Sequence, residues 1–139
     1  MISKKIEKAI NEQIKKEEYS SRLYLAMASW CHANGYPGAA SFLYTHADEE
    51  RMHQLKFVHF LNDRGGHAVL QNIEEPPAEY KTLQAIFKEI LKHEQYITAS
   101  INELYHLCVT EKDYTVANFL QWFITEQVEE ESLVNGILD

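Results

Sequence analysis

Glutamate recurs in this chain at positions where a packed helix would hold leucine. Four segments each carry an apolar stripe at helical spacing, of the kind that packs in a bundle. The first reads Ile6, Ile10, Gln13, Glu17, Ser20, Tyr24, Met27, Cys31, and the second Ala39, Leu43, His46, Glu50, His53, Phe57, Phe60. The third reads Leu83, Phe87, Ile90, Glu94, Ile97, Ile101, Leu104, Cys108, and the fourth Val116, Phe119, Phe123, Glu126, Glu130, Leu133, Ile137. Glu17, Glu50, His53, Glu94, Glu126 and Glu130 therefore sit among hydrophobic neighbours near the middle of their helices, and they meet at one level whatever the helix order. An ionised carboxylate buried without a partner is so unfavourable that it neutralises instead. No Lys or Arg lies on these stripes to balance the charge. A solvated acidic face accounts for any one of these glutamates but not for all of them on four stripes. The convergence calls for an external cation, and hard oxygen donors with one imidazole suit iron or manganese.

The chain's five glycines and three prolines mark where the helices break. Ser3 caps a helix reaching about Asn34, where Asn34-Gly35 supplies a left-handed stop. Pro37 opens a second helix that ends at Gly65-Gly66, and residues 67–81, with Pro76-Pro77, read as a loop. A third helix runs from about Thr82 to Glu111, and Asp113 caps a fourth that continues to the chain end. The loop of about 15 residues spans about 50 Å when extended, against about 42 Å for a helix of about 28 residues. Two helical hairpins joined by one long crossover is the favoured all-α architecture, forming a single domain over residues 1–139. An up-down bundle with a slack loop is the alternative, though such loops are uncommon.

A formal charge of -8 argues against a nucleic-acid partner and for cations. The charged opening, MISKKIEKAINEQ, has no apolar leader, and no apolar run approaches the roughly 20 residues of a membrane span. Cys31 and Cys108 lack metal-site spacing and read as buried thiols in a reducing compartment, so a cytoplasmic protein is expected. Glu103 and His106 have ligand-like spacing, but Glu103 lies about 900° of helical turn beyond Glu94 and faces away. His32, His59, His67 and His93 read as solvated or capping residues, and His46, one turn before Glu50, as a core histidine suited to supporting a ligand.

Glu17, Tyr24, the Glu49-Glu50-Arg51-Met52-His53 segment, Glu94 and the Glu126-Gln127-Val128-Glu129-Glu130 segment together resemble the bacterial non-haem ferritins over the entire chain. The runs NEQ, YSS, KHEQ, INEL and NFLQW are similar too. The resemblance implies a ferritin-like four-helix bundle that stores iron and acts as a ferroxidase, with Fe(II) and O2 as substrates. It implies two irons per subunit, the first held by Glu17, Glu50 and His53, the second by Glu50, Glu94 and Glu130. A third, weaker iron position matches Glu49, Glu126, Glu129 and Glu130. Tyr24 matches a residue that hydrogen-bonds a site carboxylate, and Tyr24 and Trp122 are candidate electron donors. The product is expected to mineralise inside a homo-oligomeric shell of twenty-four subunits. The loop at 67–81 and the tyrosines Tyr36, Tyr80 and Tyr114 are candidate contacts in that shell.

Relatives are told apart by spacing. Bacterioferritins and most di-iron oxygenases carry a second inward E-x-x-H, whereas Leu133 follows three residues after Glu130. Bacterioferritin haem is held by a methionine directly after the bridging glutamate, where this chain has Arg51, so no haem is expected. A rubrerythrin-like peroxidase would need that second motif or a rubredoxin-like Cys site, and a purely structural shell subunit would lack the ligands. Ferritins of this type add a short fifth helix that lines a fourfold channel. This sequence stops at Asp139 with the helical pattern still running, as an incomplete or truncated chain would; if the chain does end there, a shell built from it is expected to lack the plug.

Overall fold

The computed structural model describes residues 1–139 and contains four helices, α1 (Lys4–Ala33), α2 (Pro37–Asp63), α3 (Leu83–Thr110) and α4 (Tyr114–Leu138). Side-chain caps set three of the starts. Ser3 Oγ accepts from the Ile6 amide at 3.2 Å, Thr82 Oγ1 from Ala85 at 3.0 Å, and Asp113 Oδ1 from Val116 at 3.2 Å. Such a cap contributes about 1 kcal/mol. Pro37 opens α2, where its missing amide goes unmissed.

The helices end in a shared way. Gly35 and Gly65 both adopt φ 85, and the amides of Tyr36 and Gly66 reach back to the carbonyls of Cys31 and Leu61 at 2.8 and 3.0 Å. At the end of α3 the same closure, Asp113 amide to Cys108 carbonyl at 2.8 Å, is made around Lys112 at φ 58. A lysine there accepts the left-handed strain that glycine avoids.

Residues 67–81 run as the expected crossover. Near the start of α1, the Val69 amide donates to Asn11 Oδ1 at 2.8 Å and the His67 amide to Glu7 Oε2 at 2.8 Å. At the far end Tyr80 packs edge-on to Trp30, with ring centroids 6.1 Å apart. The segment thus traverses α1 from one end to the other, and α3 begins where α2 began. Tyr80 is half-buried there and donates to the Pro77 carbonyl, Tyr36 stacks on Trp30, and Tyr114 stands exposed.

Apolar side chains form two clusters. One, of 14 buried residues, is centred on Ile10, Phe57, Ile101, Leu120 and Phe123; the other, of 13, on Tyr24, Met27, Leu43, Ile86 and Val134. Every stripe residue of α1 is buried. On α2, Ala40 and Leu61 are buried in place of Ala39 and Phe60, and on α3 Ile86 and Ser100 join while Leu83 is half-buried.

The α4 stripe needs correction. Ala117, Leu120, Gln127 and Val134 face inward, Phe119 and Glu126 are half-buried, and Leu133 and Ile137 are 45% and 43% exposed. Val116, Phe123 and Glu130 belong to both readings. Steps of three and four residues can be taken in either order between those points, and packing against α3 selects the order that buries Gln127 rather than Glu126.

Candidate metal centre

Between the two apolar clusters lies a polar layer with contributions from every helix. Glu17 and Tyr24 come from α1, His46, Glu50 and His53 from α2, Glu94 from α3, and Gln127 and Glu130 from α4; all are buried. Donor atoms of Glu17, Glu50 and His53 lie within 4.8 Å of one another, as do those of Glu50, Glu94 and Glu130. Glu50 is common to both groups, so the carboxylates form two adjoining cages around one shared member.

The layer is electrostatically incomplete. Both oxygens of Glu17 and Oε1 of Glu50 are buried with no hydrogen-bond partner. Burial, with the charge of Glu50 adding to it, holds the Glu17 carboxyl well above the usual carboxylate range. Burial and then the charges of Glu94 and Glu130 do the same to Glu50. Glu94 is raised by burial, against the pull of hydrogen bonds from Tyr24 and Gln127. An orphaned carboxylate oxygen in an apolar core lacks the one thing a divalent cation supplies. The donor set therefore fits a metal of the hard-oxygen, imidazole-tolerant class.

Neighbouring side chains fix the carboxylates in place. Tyr24 OH donates to Glu94 Oε1, and Gln127 Nε2 donates to Glu94 Oε2 at 3.0 Å and to the Glu94 carbonyl at 3.2 Å. His46 Nε2 meets Glu130 Oε2 at 2.7 Å. Burial works against the charged form of His46, but the Glu130 hydrogen bond and charge prevail and raise it. His53 Nδ1 faces Glu50 Oε2 at 3.2 Å, while its ring lies edge-on to Trp122 with centroids 5.3 Å apart. Such outer contacts orient ligands and set their basicity. Gln127 went unassigned in the sequence because it reads as a surface amide; its place three residues before Glu130 on the same helical face was the available signal.

The residues of the third position are only partly gathered. Exposed Glu49 approaches His46 and Glu130 within 4.8 Å, whereas half-buried Glu126 and exposed Glu129 belong to none of the close groups. Glu126 is not the core residue its stripe position suggested, although burial and the Glu130 charge raise its carboxyl. Glu49 and Glu126 instead rim a cavity of about 260 Å³ on the α2–α4 face, whose floor is His53 and whose walls include Lys56 and Trp122. Glu103 and His106 are exposed, as expected. His93 is not a solvated residue. It is half-buried between α1 and α3, with Nε2 2.6 Å from Ser20 Oγ, and burial pushes it down to about 4.

Residues 7–139 match the family model described as Ferritin, a ferritin-like domain. The chain is 47% identical over 139 residues to a bacterial non-heme ferritin of Campylobacter jejuni, covering all of this chain and 83% of that protein. It is 44% identical to a bacterial non-heme ferritin of Escherichia coli, covering all of this chain and 84% of the relative. Among solved structures it is similar to an open pore ferritin from the archaeon Archaeoglobus fulgidus. That likeness has a TM-score of 0.98 and 40% identity, covering 99% of this chain and 85% of the other.

Proposed function

The chain belongs to the bacterial non-haem ferritins of the ferritin-like family, and from that premise we propose that it stores iron and oxidises Fe(II) with O2 at a di-iron site inside one domain spanning residues 1–139. The observation that carries this reading is the pair of adjoining buried groups sharing Glu50, with orphaned oxygens on Glu17 and Glu50. Glu17, Glu50 and His53 hold one Fe(II), and Glu50, Glu94 and Glu130 the other, with Glu50 between them. Glu49, Glu126 and Glu129, with Glu130, form a weaker third station toward the α2–α4 cavity, where negative charge draws cations in.

Iron supplies the redox chemistry, passing electrons to O2 while bound. The protein's residues do the rest. A set of buried anions favours Fe(III) over Fe(II), since the higher charge gains more from each carboxylate at low dielectric. Tyr24 and Gln127 keep Glu94 aimed inward, and His46 does so for Glu130. The apolar clusters on either side keep bulk water out of the layer. The ferric product is stored as mineral in a shell of twenty-four subunits in the cytoplasm, without haem. No helix is long and apolar enough to cross a membrane.

His53→Ala and Glu130→Ala should each slow Fe(II) oxidation by about tenfold or more, the usual scale for losing a ligand or its support. Helical content should survive both changes. Stopped-flow oxidation at the wild-type rate in both variants would overturn the ligand assignment. A crystal soaked in Fe(II) should show anomalous peaks either side of Glu50, and metal found only between subunits would exclude a centre within one chain. Light scattering should give a particle many times the 16.2 kDa of one chain; a monodisperse monomer or dimer would rule out the shell.

A further inference from the structure

The two oxidisable aromatic side chains in contact with the centre, Tyr24 against Glu94 and Trp122 against His53, differ in what surrounds them. On the α2–α4 face, Lys56 Nζ sits 3.5 Å from the centroid of the Trp122 ring. A cation over the indole favours its neutral, electron-rich form and opposes removal of an electron. On the other side Tyr24 is fully buried, and its phenol proton points at a carboxylate oxygen of Glu94. Losing an electron makes a phenol strongly acidic, so a built-in proton acceptor eases the oxidation of Tyr24.

Tyr24 does not end in inert core. Its ring meets His93 edge-on with centroids 6.0 Å apart, and His93 in turn lies 5.9 Å from Tyr96 and 5.9 Å from Tyr19. Ser20 Oγ donates to the Lys16 carbonyl at 3.0 Å, which leaves it to accept from His93 Nε2 at 2.6 Å. The imidazole is thereby held in one orientation between the three phenols. Two cavities, of about 500 and 280 Å³, open on this α1–α3 face, and both are lined by Tyr19, His93 and Tyr96. Lys16 Nζ also lies over the Tyr96 ring, but at 5.4 Å from its centroid, against 3.5 Å for Lys56 over Trp122, so it opposes oxidation less. Tyr96 is 52% exposed, and the contacts run unbroken from the carboxylate layer to solvent.

We propose that Tyr24, His93 and Tyr96 form an electron path by which the α1–α3 surface delivers a single electron to O2 undergoing reduction at the metal centre. The path builds on the ferroxidase reading. Tyr24 gives one electron to the centre and its phenol proton to Glu94. Tyr96 then returns an electron to Tyr24 across the His93 ring, Tyr24 recovers its proton from Glu94, and the Tyr96 phenol releases its own proton to water. The net change is one electron into the O2 chemistry, one proton to solvent and a neutral phenoxyl radical at Tyr96. A thiol reductant restores that phenol by giving up a hydrogen atom. His93 changes neither charge nor proton count; it is a positioning residue that bridges two rings otherwise out of contact. Tyr19 offers a branch to the same surface.

The test mixes the assembled full chain with Fe(II) in air, with catalase and a nitroso spin trap, and locates the adducts by peptide mass spectrometry. Fe(III) formation is followed in the same mixture. Tyr114, 64% exposed and on none of these contacts, reports radicals arriving from solution. In the wild-type chain Tyr96 adducts should exceed Tyr114 adducts by about tenfold, equivalent to about 1.4 kcal/mol on the competing transfer. His93→Leu should remove that excess while Fe(III) still forms, and Tyr96→Phe, a change at a half-exposed ring, should move adducts to Tyr19. Equal labelling of Tyr96 and Tyr114, or an unchanged excess in the folded His93→Leu chain, would overturn the path while leaving ferroxidase activity standing. Failure of the wild-type chain to form Fe(III) would instead overturn the ferroxidase reading, and the path with it.

Discussion

Ile97 and Glu94 lie one turn apart on α3 and are buried to the same degree, each 1% exposed, yet they belong to regions with opposite energetics. The apolar clusters gain from burial at about 25 cal/mol per Å² of apolar surface removed from water. The layer between them loses by it, since its carboxylates give up hydration and gain, in the metal-free chain, only part of their hydrogen bonding back. The same helices and the same spacing serve both. Burial therefore says little about what a position contributes until the chemistry of its side chain is read with it.

The largest effect should come from breaking the apolar half. Phe57 is fully buried and stacks on Phe123 with centroids 4.2 Å apart. Phe57→Ala should cost about 3–5 kcal/mol in urea unfolding. A loss below about 1 kcal/mol would mean the cluster is not the stabilising region.

A second measurement turns the polar layer from liability to asset. A redox-inert divalent ion such as Co(II), at a hundredfold excess over its dissociation constant, should stabilise the chain by about 2.7 kcal/mol. The size of that gain should depend on pH with a definite sign. Glu17, Glu50 and Glu94 have folded pKa values raised above 4.5, so metal-free stability is lost as pH rises from 4.5 through the raised values. His46, raised from 6.5, acts in the same direction. His93 acts oppositely, because its stability contribution is present above 6.5 and lost as pH falls toward about 4. Metal binding needs ionised carboxylates, so above pH 6.5 the Co(II)-induced rise in melting temperature should grow with pH. A shift that shrank with pH would point to binding elsewhere.

The smallest effect is the most telling. Glu17→Gln keeps the side chain's shape and removes a carboxylate whose oxygens have no partners. Metal-free stability should change by less than about 1 kcal/mol, or rise. The Co(II) shift should fall in the same variant; a large metal-free loss would show that Glu17 is tied into the fold by contacts other than a cation.

Much of this was legible in local sequence. Ser3, Thr82 and Asp113 cap where their residue types predict, and the stripe of α1 survives intact because Ile6, Ile10 and Tyr24 leave one choice of face. Legibility fails where partners are distant. His46 is legible as a core residue one turn before Glu50, but its partner Glu130 is 84 residues away and is not; Ser20 and His93 are 73 apart, so the burial of His93 could not be read from its neighbours in the chain. Lys112 takes a left-handed conformation that its residue type does not advertise, since the α3–α4 turn overrides preference. On α4 the amide of Gln127 hid a core position behind a surface composition.

The crossover at 67–81 also bears on how the chain reaches this state. It divides the molecule into two hairpins, α1–α2 carrying Glu17, Glu50 and His53, and α3–α4 carrying Glu94 and Glu130. Each hairpin closes over a short turn, and such local contacts form quickly. Only the docking of one hairpin on the other draws the acidic residues of both together as water is expelled. Docking adds the repulsion of Glu50 by Glu94 and Glu130 to that already present between Glu17 and Glu50 in one hairpin and between Glu94 and Glu130 in the other. A divalent ion held by Glu50, Glu94 and Glu130 would tie the two hairpins together, whereas one held by Glu17, Glu50 and His53 would tie only α1 to α2.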